Sequence, residues 1–398
     1  WYTVIKAEIE NRYDFSDLSH LMAIWSVTDE GKTVQRGSFD LNILPGEKHT
    51  EEIQIIETAN EFGFLNIKFV LKNDTDWADC GYIVAESQYK FIDKFSNYED
   101  FNKYEDYDFP VYERDKYLTV FAGRSSVSFS KLTGHLVKWT YDEDDLIKSP
   151  VKINFWRPLI DNETFGPAGN LQKSSLMDKL LEDVKDISYN IEDGYCFVTV
   201  KTIVAPPYFS AGFNCKYVYI IYPDGRISVF VTCEPFSGKT DFRMPKELLK
   251  FGVSMGIGKE YSSVKWLGRG PGENYPDTKF ASPVGLYEKD VSDMYEPYPM
   301  PQEYGARCDC RFAEFRNGKG RGIRVFAENF IFSVREYSDE KIDNAKHTNE
   351  LTKDDYLTLC IDSEQRGVGS GACGPDTLDK YKAETERKEF EFMLVPLG

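Results

Sequence analysis

The sequence has little of what most binding and catalytic classes require. It lacks a basic excess: 48 Lys and Arg stand against 66 Asp and Glu, a formal net charge of -18. Unaided binding to a phosphate backbone or an anionic membrane needs a basic face, so nucleic acid and membrane surfaces are poor partners for this chain. It also lacks any run near the roughly 20 apolar residues of a membrane span. The opening residues, Trp1 to Lys6, have neither the basic stretch nor the apolar stretch of a signal peptide. Position 1 is not Met, so the chain reads as a fragment whose targeting signal, if any, lies upstream. The eight cysteines are dilute and irregularly spaced, unlike a small secreted disulfide scaffold, and point to reduced thiols in a cytoplasmic protein.

What is present is aromatic and strand-like. Of 398 residues, 41% are hydrophobic and 15% aromatic, with few helix-period stretches, and that balance suits pleated, half-buried surfaces. The first hundred residues predict an immunoglobulin-like β-sandwich. Leu65, Ile67, Phe69 and Leu71 alternate along one strand, and Leu21 to Thr28 meets Thr33 to Phe39 through a turn at Asp29-Glu30-Gly31-Lys32. Cys80 is the one cysteine there, so no inter-sheet disulfide can form.

Residues 101–116 are acidic and aromatic and are expected to link the first domain, 1–100, to a second, 117–398. Strand signals fill the second domain. Hairpins are expected around Glu192-Asp193-Gly194 and Pro223-Asp224-Gly225, with further strands at 153–156, 323–327, 331–335, 356–361 and 390–395. Helices are expected at Leu176 to Val184 and after Ser338. The fold class is therefore all-β: an immunoglobulin-like sandwich followed by a large antiparallel β-sandwich.

Read on its own residues, the chain carries little chemistry. Gly367 to Gly374 lacks the Gly-Lys-Ser/Thr of a phosphate loop and predicts a sharp glycine turn. Gly268-Arg269-Gly270 is interrupted by Pro271, and Cys308-Asp309-Cys310 is too closely spaced for a structural zinc pair. The four histidines, His20, His49, His135 and His347, are scattered. No metal site and no catalytic set is expected within the chain.

Two blocks carry a resemblance: Trp266 to Asp277, with Gly268-Arg269-Gly270-Pro271-Gly272-Glu273-Asn274-Tyr275-Pro276, and Val291 to Tyr298, with Ser292-Asp293-Met294-Tyr295. They resemble the last domain of lactase-type β-galactosidases, glycoside hydrolase family 2. Glu10 to Phe15, Phe155 to Glu163, Pro301 to Arg307, Ala345 to Thr348 and Gly367 to Tyr381 are similar to other blocks of that family, in the same order. The resemblance implies that the second sandwich is a galactose mutarotase-like supersandwich. It also implies retaining hydrolysis of terminal β-D-galactosides by two glutamates on an upstream (β/α)8 barrel of the same polypeptide or subunit. Magnesium and sodium are implied for the intact enzyme, with their ligands outside this chain, and so is a homo-oligomer. Cys373 and Gly371, in the glycine turn, are similar to the rim of the substrate cleft, where some relatives carry a Trp. Asp161, Asn162 and Gly166 resemble part of a mobile loop, Asp161 to Asn170, beside that cleft. Arg157, Glu273, Asn274, Tyr275, Asp293 and His347 are expected to fix the domain's shape, with Glu273, Asn274, Tyr275 and Asp293 in a buried polar network. A free carbohydrate-binding module and a purely structural piece are the competing readings.

Overall fold

The computed structural model describes residues 2–56, 61–94, 107–164, 166–207, 210–237, 244–369, 371 and 373–398. These fall into two compact units, Trp1–Asp100 with Pro283–Leu286, and Phe101–Ser282 with Tyr287–Gly398.

The first unit contains β1 (Thr3–Glu10), β2 (Leu21–Asp29), β3 (Lys32–Asp40), β4 (Lys48–Ile55), β5 (Phe62–Leu71) and β6 (Ile83–Asp93). One sheet pairs β1 with β4, and the other runs β3-β2-β5-β6, all antiparallel. The β2–β3 hairpin turns where expected, because Glu30 and Gly31 take φ of 47° and 76°, the left-handed geometry that a tight hairpin demands. Ile9, Ala23, Leu21 and Leu71 pack in one cluster and Val27, Ile53, Ile55 and Leu65 in another, so both sheets contribute inward faces. Val70, on the outward phase of the β5 alternation, is nevertheless buried, at the point where the β5–β6 register shifts between Phe69 and Val70.

In the second unit follow β7 (Val111–Glu113), β8 (Tyr117–Ala122), β9 (Ser125–Ser130), β10 (Leu136–Tyr141), β11 (Asp144–Asp145) and β12 (Ile147–Asn154). Then come α1 (Asp161–Thr164), α2 (Pro167–Ser174), β13 (Leu181–Glu192), β14 (Tyr195–Ala205), β15 (Gly212–Ile221), β16 (Ile227–Phe236), β17 (Glu247–Leu248) and β18 (Lys250–Ile257). The chain ends with β19 (Ser263–Arg269), β20 (Val284–Asp290), β21 (Arg307–Arg316), β22 (Gly322–Arg335), α3 (Asp339–Asn344), β23 (Leu357–Gln365), β24 (Ala383–Glu384) and β25 (Lys388–Leu397). The long sheet runs β12-β18-β23-β22-β25-β16-β15-β14-β13, and a second sheet runs β11-β10-β9-β8-β7. One apolar core joins them: Phe129 of β9 meets Tyr219 of β15 edge to face at 4.9 Å, beside Trp139 and Tyr217, all buried. The all-β fold class holds, with a curled antiparallel sandwich in this unit.

Three expectations are corrected by tertiary pairing. The second half of the expected 101–116 linker belongs to this unit, since Phe109 is buried in its core and β7 pairs with β8; residues 101–106 lie outside the described residues. The expected helix at 176–184 is a single 3-10 turn, Met177–Lys179, followed by β13. There a period-two inward set of Glu182 and Val184 wins over the helical spacing of Leu176, Leu180 and Val184. The expected strands 323–327 and 331–335 are one strand, β22. Its exposed Glu328-Asn329 marks no break but the point where pairing changes from β25 to β23.

The sheet needs a glycine where β18 crosses β23. A Cβ on Gly252 would stand 2.3 Å from the Ile361 carbonyl oxygen and 2.5 Å from the Asp362 Cα. Gly252→Ala should therefore cost about 1–3 kcal/mol in denaturant unfolding, as overpacking does. Gly272→Ala, with nothing within 4 Å of its Cβ, should change stability by less than about 0.5 kcal/mol.

Candidate functional site

The extended residues after β12 deliver Arg157 into the interior, where its guanidinium meets Glu163 of α1 through two bonds of 2.8 Å. Neither side chain is more than 1% exposed. Arg366, at the end of β23, bonds the same carboxylate at 3.2 Å and reaches Asp376 at 2.6 Å and Glu247 at 3.1 Å. Burial lowers the pKa of a guanidinium. The Glu163 carboxylate more than offsets that for Arg157, which is raised above its ordinary value. Arg366 is likewise raised, against burial, by Glu247, Asp376 and Glu163.

That ion cluster sets α1 beside the Gly367 turn. Asn162 Nδ2 donates to the carbonyls of Val368 at 3.0 Å and Gly369 at 2.6 Å. From the other side the Asp277 carboxylate accepts the amides of Val368 at 3.0 Å and Gly369 at 2.7 Å. The glycines admit this clamp: a Cβ on Gly367 would fall 2.6 Å from the Asp277 carboxyl carbon, and Gly369 has φ +56°. The Asp161 amide donates to Gln302 Oε1 at 2.9 Å, tying in the Pro301 block.

Of the residues expected at a rim, Asp161, Asn162, Gly166 and Gly371 are thus brought together. A Cβ on Gly371 would lie 3.5 Å from the Asn162 carbonyl oxygen, and Cys373 is exposed on the same turn as a free thiol. Residues 370 and 372 lie outside the described residues. The segment Asp161 to Asn170, expected as a loop with glycine hinges, is helical at 161–164 and from 167 on. Gly166 and Gly169 serve close packing there, since a Cβ on either would fall within 2.8 Å of the Asn162 or Glu163 carbonyl oxygen.

The shape-fixing residues divide. Asn274 is buried and bonds the chain four ways: its amide to the Ala306 carbonyl at 2.9 Å, its Oδ1 from the Cys308 amide at 2.8 Å, its carbonyl from the Cys308 thiol at 3.3 Å, and its Nδ2 to the Gly272 carbonyl at 3.1 Å. Glu273 accepts the Gly305 amide at 2.7 Å and the Tyr298 hydroxyl, and burial raises its pKa despite those bonds. Tyr275 is buried within electrostatic reach of Arg157, Glu303 and Arg335. Asp293 and His347, in contrast, are exposed: Asp293 sits on a one-turn helix whose Val291 and Met294 point inward instead, and His347 precedes a one-turn helix, Thr348–Glu350, that buries no residue.

Asp277, Glu163, Gln302 and Arg366 carry no individual expectation from the sequence, although each stands inside or beside one of the family-like blocks. For Asp277, Gln302 and Arg366 the signal is a charged or amide group next to a proline or a glycine, and Glu163 has no such neighbour. Only the fold shows that they converge. Among the described residues no three His, Cys, Asp or Glu side chains cluster as a metal site, and no helix is long and apolar enough to cross a membrane.

Two all-β units in this order, with a glycine turn clamped at the edge of the second, define the class of the chain. The chain belongs to the β-galactosidase small-chain family, whose model matches residues 122–394, and residues 7–91 match that for β-galactosidase domain 4. It is 27% identical to a β-galactosidase of Pseudoalteromonas haloplanktis over 98% of its own length and 38% of the relative's. It is 27% identical to one of Kluyveromyces lactis (97% and 36%) and 26% identical to one of Streptococcus thermophilus (98% and 37%). The chain thus spans little more than a third of these relatives. A solved galactose mutarotase-like protein from Clostridium acetobutylicum is similar over 73% of this chain and 97% of that one, with TM-score 0.38 and 9% identity.

Glu163→Gln should leave two buried guanidiniums short of a charge and cost roughly 3–5 kcal/mol in denaturant unfolding. A pH test applies to Asp309, which accepts from Arg269 at 2.5 Å and Lys279 at 2.7 Å. Burial raises its pKa, but these cations prevail and hold it below the ordinary carboxylate value. A depressed folded pKa gives stability that is complete above the unfolded pKa of about 3.9 and is lost as pH falls towards the lower folded value. The melting-temperature advantage of the native chain over Asp309→Asn should therefore be constant above about pH 5 and shrink below about pH 4.

Proposed function

We propose that this chain is the non-catalytic region of a β-galactosidase and that its clamped turn forms part of the substrate-cleft rim. The paired carboxylates of the retaining reaction, with the magnesium and sodium ligands, belong to an upstream barrel. One observation carries the reading. Asn162 and Asp277 hold opposite sides of the Val368-Gly369 backbone while Cys373, on the same turn, stays exposed. Such bonding at the base of a turn whose Gly371 and Cys373 are exposed fits a surface that must be presented in one shape. The role is positional: the turn offers a small, polarizable apolar contact to sugar, and α1 fixes its height. A reducing, cytoplasmic setting agrees with eight free cysteines, of which Cys215 and Cys233 lie directly opposite each other on β15 and β16 without a disulfide.

The isolated chain should release no chromogenic aglycone from a β-galactoside above the buffer rate. Release that is lost on mutating one of its own carboxylates would overturn the assignment. In the complete enzyme, Cys373→Trp should add a stacking surface of about 1 kcal/mol and change KM by roughly fivefold. Because Cys373 is exposed, the melting temperature should hardly move. Unchanged KM and kcat in a folded variant would remove the turn from the cleft.

A further inference from the structure

The second unit carries a cleft of about 1140 Å³ that the clamped turn does not use. Its walls come from β12, β18, the start of β13, the turn Met177–Lys179 and α3. Small-molecule sites occupy roughly 300–1,000 Å³, so the space is ample for a ligand of one or two rings.

The walls are built in place. Glu182 accepts bonds of 2.8 Å from His135, Thr202 and Tyr217, and the Tyr217 hydroxyl accepts the Ile153 amide at 2.9 Å. Asn154 Oδ1 accepts the Trp156 amide at 2.9 Å. Side chains fixed this way lose little freedom when a ligand arrives.

The charges on the inner walls of the cleft are paired, while Lys152 and Glu340 line it as exposed charges of opposite sign. Lys173 stands 2.6 Å from Asp343 and 3.4 Å from Asp178, and its ammonium lies 4.6 Å from the Trp156 ring centroid. His135 faces Glu182, and Asp339 is bonded by the buried Arg335. A charged ligand seated against the Lys173 and His135 walls would have to break one of these pairs, whereas a neutral one need not. The remaining lining is rich in hydroxyls and amides beside an indole, including Asn344 at the exposed end of α3 and the Thr358 hydroxyl, which is buried without a protein partner. Hydroxyl and amide groups around an aromatic body suit a ligand with an apolar face and a rim of hydroxyls.

We propose that this cleft is a second binding site, separate from the clamped turn, for a neutral mono- or disaccharide. The proposal does not rest on the turn being a cleft rim, and one experiment separates the two. Galactose, lactose and galacturonate are titrated calorimetrically into the 398-residue chain and into Asn344→Ala, Asn344→Trp and Cys373→Ala, each checked by its thermal melt. Asn344 is exposed, so neither of its substitutions should prevent folding.

The expected result is one-site binding of galactose or lactose. Affinity should fall about fivefold in Asn344→Ala, as for one lost hydrogen bond, and further in Asn344→Trp, which occupies the mouth. Cys373→Ala should bind as the native chain does, and galacturonate should bind at least about fivefold more weakly than galactose. Absence of binding up to the solubility limit would overturn the proposal. So would binding that survives Asn344→Trp, and loss in Cys373→Ala alone would assign the sugar to the turn instead. Equal affinity for galacturonate would overturn the neutral class.

Discussion

One buried carboxylate organises the candidate site of the second unit. Glu163 lies between Arg157 and Arg366, from segments more than two hundred residues apart, and all three are nearly inaccessible to water. Two full charges and a third of opposite sign are removed from solvent together, which is tolerable only with hydrogen bonds of good geometry on every side. The bidentate Arg157 bond supplies that geometry, and Arg366 closes it. The position of α1 follows from this triad, and with it the height of Asn162 over the Gly367 turn.

The same logic is repeated around the triad at lower intensity. Asp277 holds two backbone amides of the turn, Asn274 holds the Ala306–Cys308 backbone, and Glu273 holds Gly305. Each is a side-chain acceptor doing for an irregular segment what a neighbouring strand does for a regular one. These side chains bond irregular backbone of the second unit, and the exposed Cys373 lies on a turn held in that way. The large cleft is walled by the regular strands β12, β13 and β18 and by α3, so the two features are built by different means.

Arg307 shows what happens when such a partner is missing. It is fully buried, yet its guanidinium bonds only the Ala306 carbonyl and packs 5.6 Å over Trp266. Burial then prevails, and its pKa falls below the ordinary value, the reverse of Arg157. Two arginines in one domain, equally inaccessible, differ in the sign of their shift because one has a carboxylate in contact and the other an indole face.

Much of the fold was legible in the sequence. Period-two alternation and the turns at Glu30-Gly31, Asp193-Gly194 and Gly225 placed the strands and hairpins, since these signals depend only on residues close in the chain. The quoted blocks likewise carried the family. Non-local pairing decided the rest. It turned Leu181–Glu192 into a strand, joined two expected strands into β22, and drew Phe109 into the core. In the candidate site, Asn162, Gly371 and Cys373 could be named in advance, but Asp277 and Arg366 could not be told apart from the other charged residues of so acidic a chain. A carboxylate's part is set by which distant donors the fold brings within 3 Å of it. That information is absent from any local pattern and appears only when the sheets have paired.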